Sequence, residues 1–241
     1  RLHRSTDAGE TWTPASFGGG AGEELECDCA GTAYAAAQDG LWRSVDDGVT
    51  WTRLFFGPVG ASSFVSAVAV DPSDVQQVWA GLDAPRGAAP SLLRSTDGGA
   101  TWAPFQNGLP TVPVTDLAMK DDDLVVATQG RGYWVLDRLA PLRQMDASHV
   151  GQSVLYAPEP ASRAMGRRNA EPSGAGTNPR FGAVFDYLLA EDAEDVSLEI
   201  LDANGEVLRR FVPEGEAEKN EHLSRKDAVL PVEQQTPGAA V

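Results

Sequence analysis

One eight-residue pattern, Ser-x-Asp-x-Gly-x-Thr-Trp, is written three times into the chain, at residues 5–12, 44–51 and 95–102. The copies start 39 and 51 residues apart, which is the spacing of a repeated supersecondary unit. The residue types describe a tight turn between two strands. An Asp side chain accepts hydrogen bonds from turn N–H groups, Gly takes a positive φ, and Thr-Trp begins the returning strand with the indole packed into the unit. Ser5, Asp7, Gly9, Thr11 and Trp12 are therefore read as structural. So are Ser44, Asp46, Gly48, Thr50 and Trp51, and Ser95, Asp97, Gly99, Thr101 and Trp102.

Between the turns the sequence alternates short apolar runs with turn residues, which predicts four strands per repeat. The clearest repeat has strands at 65–70, 78–82, 92–95 and 101–105, with a turn at 71–74. The repeat before it has strands at 25–29, 33–37, 41–44 and 51–55, and residues 1–17 supply the last two strands of an earlier one. A further copy has strands at 114–119, 124–128 and 133–136, has residues 137–141 where the pattern would stand, and has 153–157 as its expected fourth strand. Four-stranded units of this period are the blades of a β-propeller, so the expected fold is all-β, with about three and a half blades. A closed ring takes about four to eight blades, so upstream blades of a longer chain are expected as partners. Residues 1–157 form this propeller part, and 158–180, rich in Pro, Gly, Ser and Asn, read as a linker. Residues 181–241 read as the start of a truncated β-sandwich, with strands at 183–189, 196–201 and 206–212 and a hairpin turn at 202–205.

With 19 Lys and Arg against 35 Asp and Glu, the net charge of −16 disfavours nucleic acid and anionic membrane surfaces as partners. No apolar run is long enough to span a bilayer as a helix. Cys27 and Cys29 lie too close on one strand for a comfortable disulfide, and no His or further Cys completes a metal set beside them. His3, His149 and His222 are scattered, so no metal and no cofactor are expected. Gly18 to Gly20 read as a flexible loop.

The repeated turn resembles the Asp box, or BNR repeat, of sialidases, sortilin-type receptors and xyloglucanase-like glycosidases. Residues 124–137 (LVVATQGRGYWVLD), 141–144 (PLRQ), 176–179 (GTNP) and 182–187 (GAVFDY) further resemble the large bacterial sortilin-like BNR proteins often labelled glycosyl hydrolases. That resemblance implies a many-bladed propeller followed by an Ig-like or fibronectin-like sandwich, exported to the periplasm, the cell surface or the medium. The chain carries no Arg-Ile-Pro motif, and a sialidase's three-arginine clamp has no recognisable positions in it.

In an up-and-down blade the Asp-box turns share one rim of the propeller with the turn at 71–74, and the remaining connections form the other rim. The second rim receives Gln38 and Asp39, Asp83 and Arg86, Gln129 and Arg131, with Phe56 and Asn107 from the loops between blades. Loops on a rigid scaffold are the usual home of ligand contacts. Arg131, Gln129, Arg86, Gln38, Phe56 and Asn107 are the ligand-binding candidates. Asp39 and Asp83, at matching positions of neighbouring blades, are the acid pair that a glycosidase on this rim would use; the competing reading makes them ordinary turn residues. Two functions follow. The expected one is a module that recognises a glycan, peptide or protein through this rim; the alternative is a glycoside hydrolase acting on a polysaccharide or glycoconjugate.

Overall fold

Strands arranged as up-and-down meanders account for nearly all the regular structure. The computed structural model describes residues 2–20, 22–28, 30–55, 64–83, 90–161, 182–191 and 196–212. β1 (His3–Arg4) and β2 (Thr13–Pro14) pair as the remnant of one blade. β3 (Gly22–Cys27), β4 (Ala33–Ala37), β5 (Gly40–Ser44) and β6 (Thr52–Phe55) form a complete first blade in sequence order. β7 (Phe64–Val70), β8 (Val78–Asp83), β9 (Leu92–Ser95) and β10 (Ala103–Pro104) form the second. β11 (Val114–Lys120), β12 (Asp123–Thr128) and β13 (Gly132–Leu136) form a three-stranded third. The innermost strands adjoin, β3 against β7 and β7 against β11, so the sheets stack as a partial β-propeller.

The second blade is buried on both faces, which explains why its inner strands read as continuous apolar runs. Val68, Val70, Val78, Ala80 and Leu82 pack toward the first blade with Tyr34 and Leu41. Ala67, Ala69 and Trp79 pack toward the third with Val114, Leu117 and Leu124. Small residues set the closeness of this stacking. A Cβ on Gly81 would sit 2.5 Å from Val114 Cγ1, so glycine is required where β11 passes over β8.

Each inner strand carries a register shift at the same place, between Gly22 and Glu24, Val65 and Ala67, and Val114 and Asp116. A bulge re-aims the side chains after it. Glu24, Ala67 and Asp116 are consequently equivalent positions on three consecutive blades.

The third blade departs from expectation. Residues 153–157 do not complete it; β14 (Val154–Leu155) pairs instead with β15 (Tyr187–Leu188). Where the Asp box would stand, Arg138 takes φ +62° and Pro141 favours a helical first turn, giving α1 (Ala140–Gln144). Arg143 fastens this helix to the second blade. Its Nε donates to Asp71 Oδ2 at 2.7 Å, its Nη2 to Asp71 Oδ1 at 3.1 Å, and its Nη1 to Asp122. A 3-10 turn, Ala147–His149, follows.

By internal packing the chain divides into Arg1–Met145 with Ala157–Val184, and Asp146–Tyr156 with Phe185–Val241. The described part of the second unit consists of the β14–β15 ladder and a hairpin of β16 (Leu198–Leu201) with β17 (Val207–Phe211). The strand expected at 183–189 is confined to β15. The hairpin turn stands where it was expected: Asp202 Oδ1 accepts from Asn204 N at 2.8 Å and Glu206 N at 2.9 Å, and Gly205 takes φ +85°. Most of the expected linker, and everything beyond residue 212, lie outside the described residues.

Arg143→Ala would leave Asp71, only 1% exposed, as an uncompensated buried carboxylate. Urea unfolding should then show a loss of about 3 kcal/mol or more, the scale for breaking one side of a buried ion pair.

Candidate functional site

The three Asp boxes repeat one hydrogen-bond set. In the first, Ser5 Oγ donates to Asp7 Oδ1 at 2.7 Å and accepts from Gly9 N at 2.8 Å. Asp7 Oδ1 accepts from Thr11 N at 2.9 Å, and Asp7 Oδ2 accepts the Thr11 hydroxyl at 2.5 Å. Trp12 Nε1 closes the corner on Gly9 O at 3.0 Å. The corresponding Thr-to-Asp hydroxyl bonds are 2.6 Å at both Thr50–Asp46 and Thr101–Asp97. Both oxygens of every box aspartate are thus committed within the turn. The Thr hydroxyl, then the Thr N–H and the Ser hydroxyl, hold Asp7 and Asp46 down at a pKa of about 2. The same bonds lower that of Asp97. The indoles behave less uniformly than expected. Trp102 lies against the core and Trp51 meets Phe17 edge-on with ring centroids 5.5 Å apart, but Trp12 is 62% exposed.

The residue before the first and the third box carries a link that the eight-residue pattern omits. Arg4 Nε donates to Asp47 O of the next box at 2.6 Å, and Arg94 Nη2 donates to Leu142 O in α1, which stands in the next box's place, at 2.6 Å. At the middle copy Arg43 instead lies over the Tyr34 ring, 5.9 Å from its centroid, and the Tyr34 hydroxyl reaches Gly98 O of the next box at 2.9 Å. Asp47 and Gly98 are equivalent box positions. The signal was present as an arginine at positions 4, 43 and 94, immediately before every box serine.

On the opposite rim, Gln38 and Asp39 occupy the β4–β5 turn, and Gln129 and Arg131 the β12–β13 turn. Gln38, Asn107, Gln129 and Arg131 are exposed. The Arg131 carbonyl accepts Trp134 Nε1 at 3.3 Å, and the flanking Gly130 and Gly132 have φ of +79° and +71°. Asp39 Oδ1 accepts from Gly20 N at 3.0 Å and Trp42 Nε1 at 3.1 Å, which is the work of a turn-holding residue. Asp83 ends β8 opposite Phe64. Arg86 and Phe56 lie outside the described residues. The glycine run at 18–20 is not a free loop: a Cβ on Gly18 would stand 3.2 Å from Trp42 Cη2 and one on Gly19 2.8 Å from Trp42 Nε1. Glycine lets this backbone lie directly on the indole.

A second set of acids, unforeseen from the sequence, lies on the inner strands. Glu24 Oε2 accepts the Val68 N–H of the next blade at 2.7 Å, and Asp116 of the blade beyond adds like charge to its surroundings. Burial raises the Glu24 pKa to about 7, with the Asp116 and Glu26 charges adding to it and the Val68 bond opposing it. Burial raises that of Glu26 as well. Reading the first strand as 25–29 left Glu24 outside it.

No known family profile matches the chain. A xyloglucanase of a Paenibacillus species is 32% identical over 128 residues, covering 41% of this chain and 12% of the relative. Among solved structures, the GH74 xyloglucanase of Xanthomonas campestris aligns over 56% of this chain and 23% of its own, with 25% identity and a TM-score of 0.46. The Niastella koreensis GH74 enzyme aligns over 45% and 18%, with 23% identity and a TM-score of 0.39. The chain therefore spans only a small part of the curated relative it matches.

The depressed Asp7 and Asp46 values make a prediction with a definite sign. A carboxyl whose folded pKa lies below its unfolded one stabilises above the unfolded value, and that stability is lost as pH falls through the folded one. Acid unfolding of the blades should therefore develop between about pH 4 and pH 2. Circular dichroism across that range, with Asp46→Asn for comparison, reads it; a transition unchanged in the variant contradicts the assignment.

Proposed function

We propose that these blades belong to an exported glycoside hydrolase of propeller fold, and that they present their non-box rim to a polysaccharide of the xyloglucan class. The observation that supports this reading most is the 32% identity to the Paenibacillus xyloglucanase over 128 residues. It favours the hydrolase over a module that only binds. The sortilin-like resemblance accounts for the same Asp boxes.

The rim's chemistry suits such a ligand. Arg131, Gln129, Gln38 and Asn107 offer guanidinium and amide groups for sugar hydroxyls. Tyr133, 80% exposed, and Trp134, 40% exposed, stand just beyond Arg131 and Gly132 and add aromatic surface. Of the two rim acids, Asp39 is committed to its own turn by two hydrogen bonds.

The test is incubation of the intact protein with xyloglucan, a mixed-linkage β-glucan and a sialylated glycoprotein, reading reducing-end release and retardation in polysaccharide-containing gels. Xyloglucan should be retained or cleaved in preference to the others. Arg131→Ala should weaken retention about tenfold, the scale of one hydrogen bond to a charged group. Indifference to all three glycans, or retention untouched in the variant, would count against the reading and its rim respectively.

A further inference from the structure

We propose that Asn107 is a self-modifying site: its side-chain amide cyclises onto the Gly108 nitrogen, loses ammonia and opens to aspartate and isoaspartate, while the fold shields the chain's other Asn-Gly pair, Asn204–Gly205, from the same reaction. The inference concerns the turn between β10 and β11 and is independent of any glycan ligand.

Asn107 and Gly108 are the central residues of a turn that Leu109 N closes on Gln106 O at 2.6 Å. Both have positive φ, +31° and +78°, the signature of a type I′ turn. Its ends are anchored, since Leu109 is buried and Gln106 Nε2 donates to the Leu109 carbonyl. Its tip is not. Both tip residues are exposed, and among the described residues no acceptor takes the Gly108 N–H and no partner holds the Asn107 carboxamide. A Cβ built on Gly108 would meet nothing within 4 Å.

The reaction requires the Gly108 nitrogen to shed its proton and reach Asn107 Cγ, and a glycine without Cβ leaves that rotation open. The new bond joins Gly108 N to Asn107 Cγ, the Cγ–Nδ2 bond breaks, and Nδ2 departs as ammonia with the proton that Gly108 gave up. Water then adds to one of the two carbonyls of the five-membered imide. Opening on the Cγ side yields aspartate; opening on the main-chain side yields isoaspartate, which reroutes the backbone through the side chain. Nothing is oxidised or reduced, and water is the only co-reactant. Either product sets a carboxylate, which only accepts hydrogen bonds, where an amide both donated and accepted.

Asn204 carries the same dipeptide in a turn tied at each of these points. Its Nδ2 donates to Asp202 Oδ2 at 3.2 Å, its N to Asp202 Oδ1 at 2.8 Å, and Gly205 N to Asp202 O at 3.1 Å. An N–H given to an acceptor is held away from Cγ and kept protonated. The three Asp-Gly pairs are tied in similar ways. Asp39 Oδ1 accepts from Gly20 N and Trp42 Nε1, Gly48 N donates to Ser44 Oγ at 2.9 Å, and Gly98 N donates to Gln76 O at 2.9 Å.

The experiment is incubation of the full chain in mildly alkaline buffer, sampled over days, followed by trypsin digestion and mass spectrometry. Cleavage after Arg94, Lys120, Arg180 and Arg209 puts the two asparagines on separate peptides. The Asn107 peptide should gain the mass of amide-to-acid conversion about tenfold faster than the Asn204 peptide, the scale of one or two turn hydrogen bonds that must first be given up. An isoaspartyl methyltransferase should then label the Asn107 peptide. The same incubation in urea dissolves both turns, and there the two rates should converge. Conversion of Asn204 as fast as Asn107 in the folded chain, no conversion at Asn107, a mass gain without label, or a difference that persists unchanged in urea overturns the proposal.

Discussion

The hydrogen bonds between an aspartate and the threonine four residues later are the constraint on which the rest of the propeller depends. In each complete box the carboxylate takes both the N–H and the hydroxyl of that threonine, while the serine hydroxyl feeds its charge from the other side. This fixes the approach of the outer two strands of a blade without any hydrophobic core at the corner. It also commits both oxygens of these aspartates to the turn. Blades built this way can be thin and rich in small residues, as the Ala33–Ala37 strand is, since the corner rather than the strand interior sets the local geometry.

The same corners are the points where blades hold one another. A carbonyl at the left-handed position of the second and third boxes receives a donor from the preceding blade, an arginine in one case and a tyrosine in the next. At the inner end the lacing passes through Glu24 and Ser66, which satisfy backbone groups on the neighbouring innermost strand. Between these polar seams lie the two apolar clusters on either side of the second blade. The blade stack is thus tied at its rim and at its axis, with hydrophobic packing filling the span.

The fold was legible where local chemistry decides structure. The boxes announced the corners, and the apolar runs placed β4, β9, β12 and β13 to within a residue or two. What escaped was decided by partners distant in sequence. Whether 154–155 pairs with β13 or with 187–188 depends on which edge is closer in space, and local pattern is silent on that. The glycine run at 18–20 looked free because nothing nearby in sequence announces Trp42 beneath it. Glu24 was missed because a bulge shifts its facing by one residue, and bulges leave no trace in an alternation pattern. Of the candidate rim, the sequence gives the residue types and the turns that carry them. Asp39's commitment to its own turn could be seen only from its two hydrogen-bond donors.

In the third blade, α1 stands in for the missing box and still presents a carbonyl, that of Leu142, to the arginine waiting at position 94. A repeat array has the difficulty that its last member offers groups evolved to meet a successor. Here a single turn of helix answers Arg94, the last such donor among the described residues. It takes over the box's part in the third blade, so that the Arg94 guanidinium keeps a partner where no box stands.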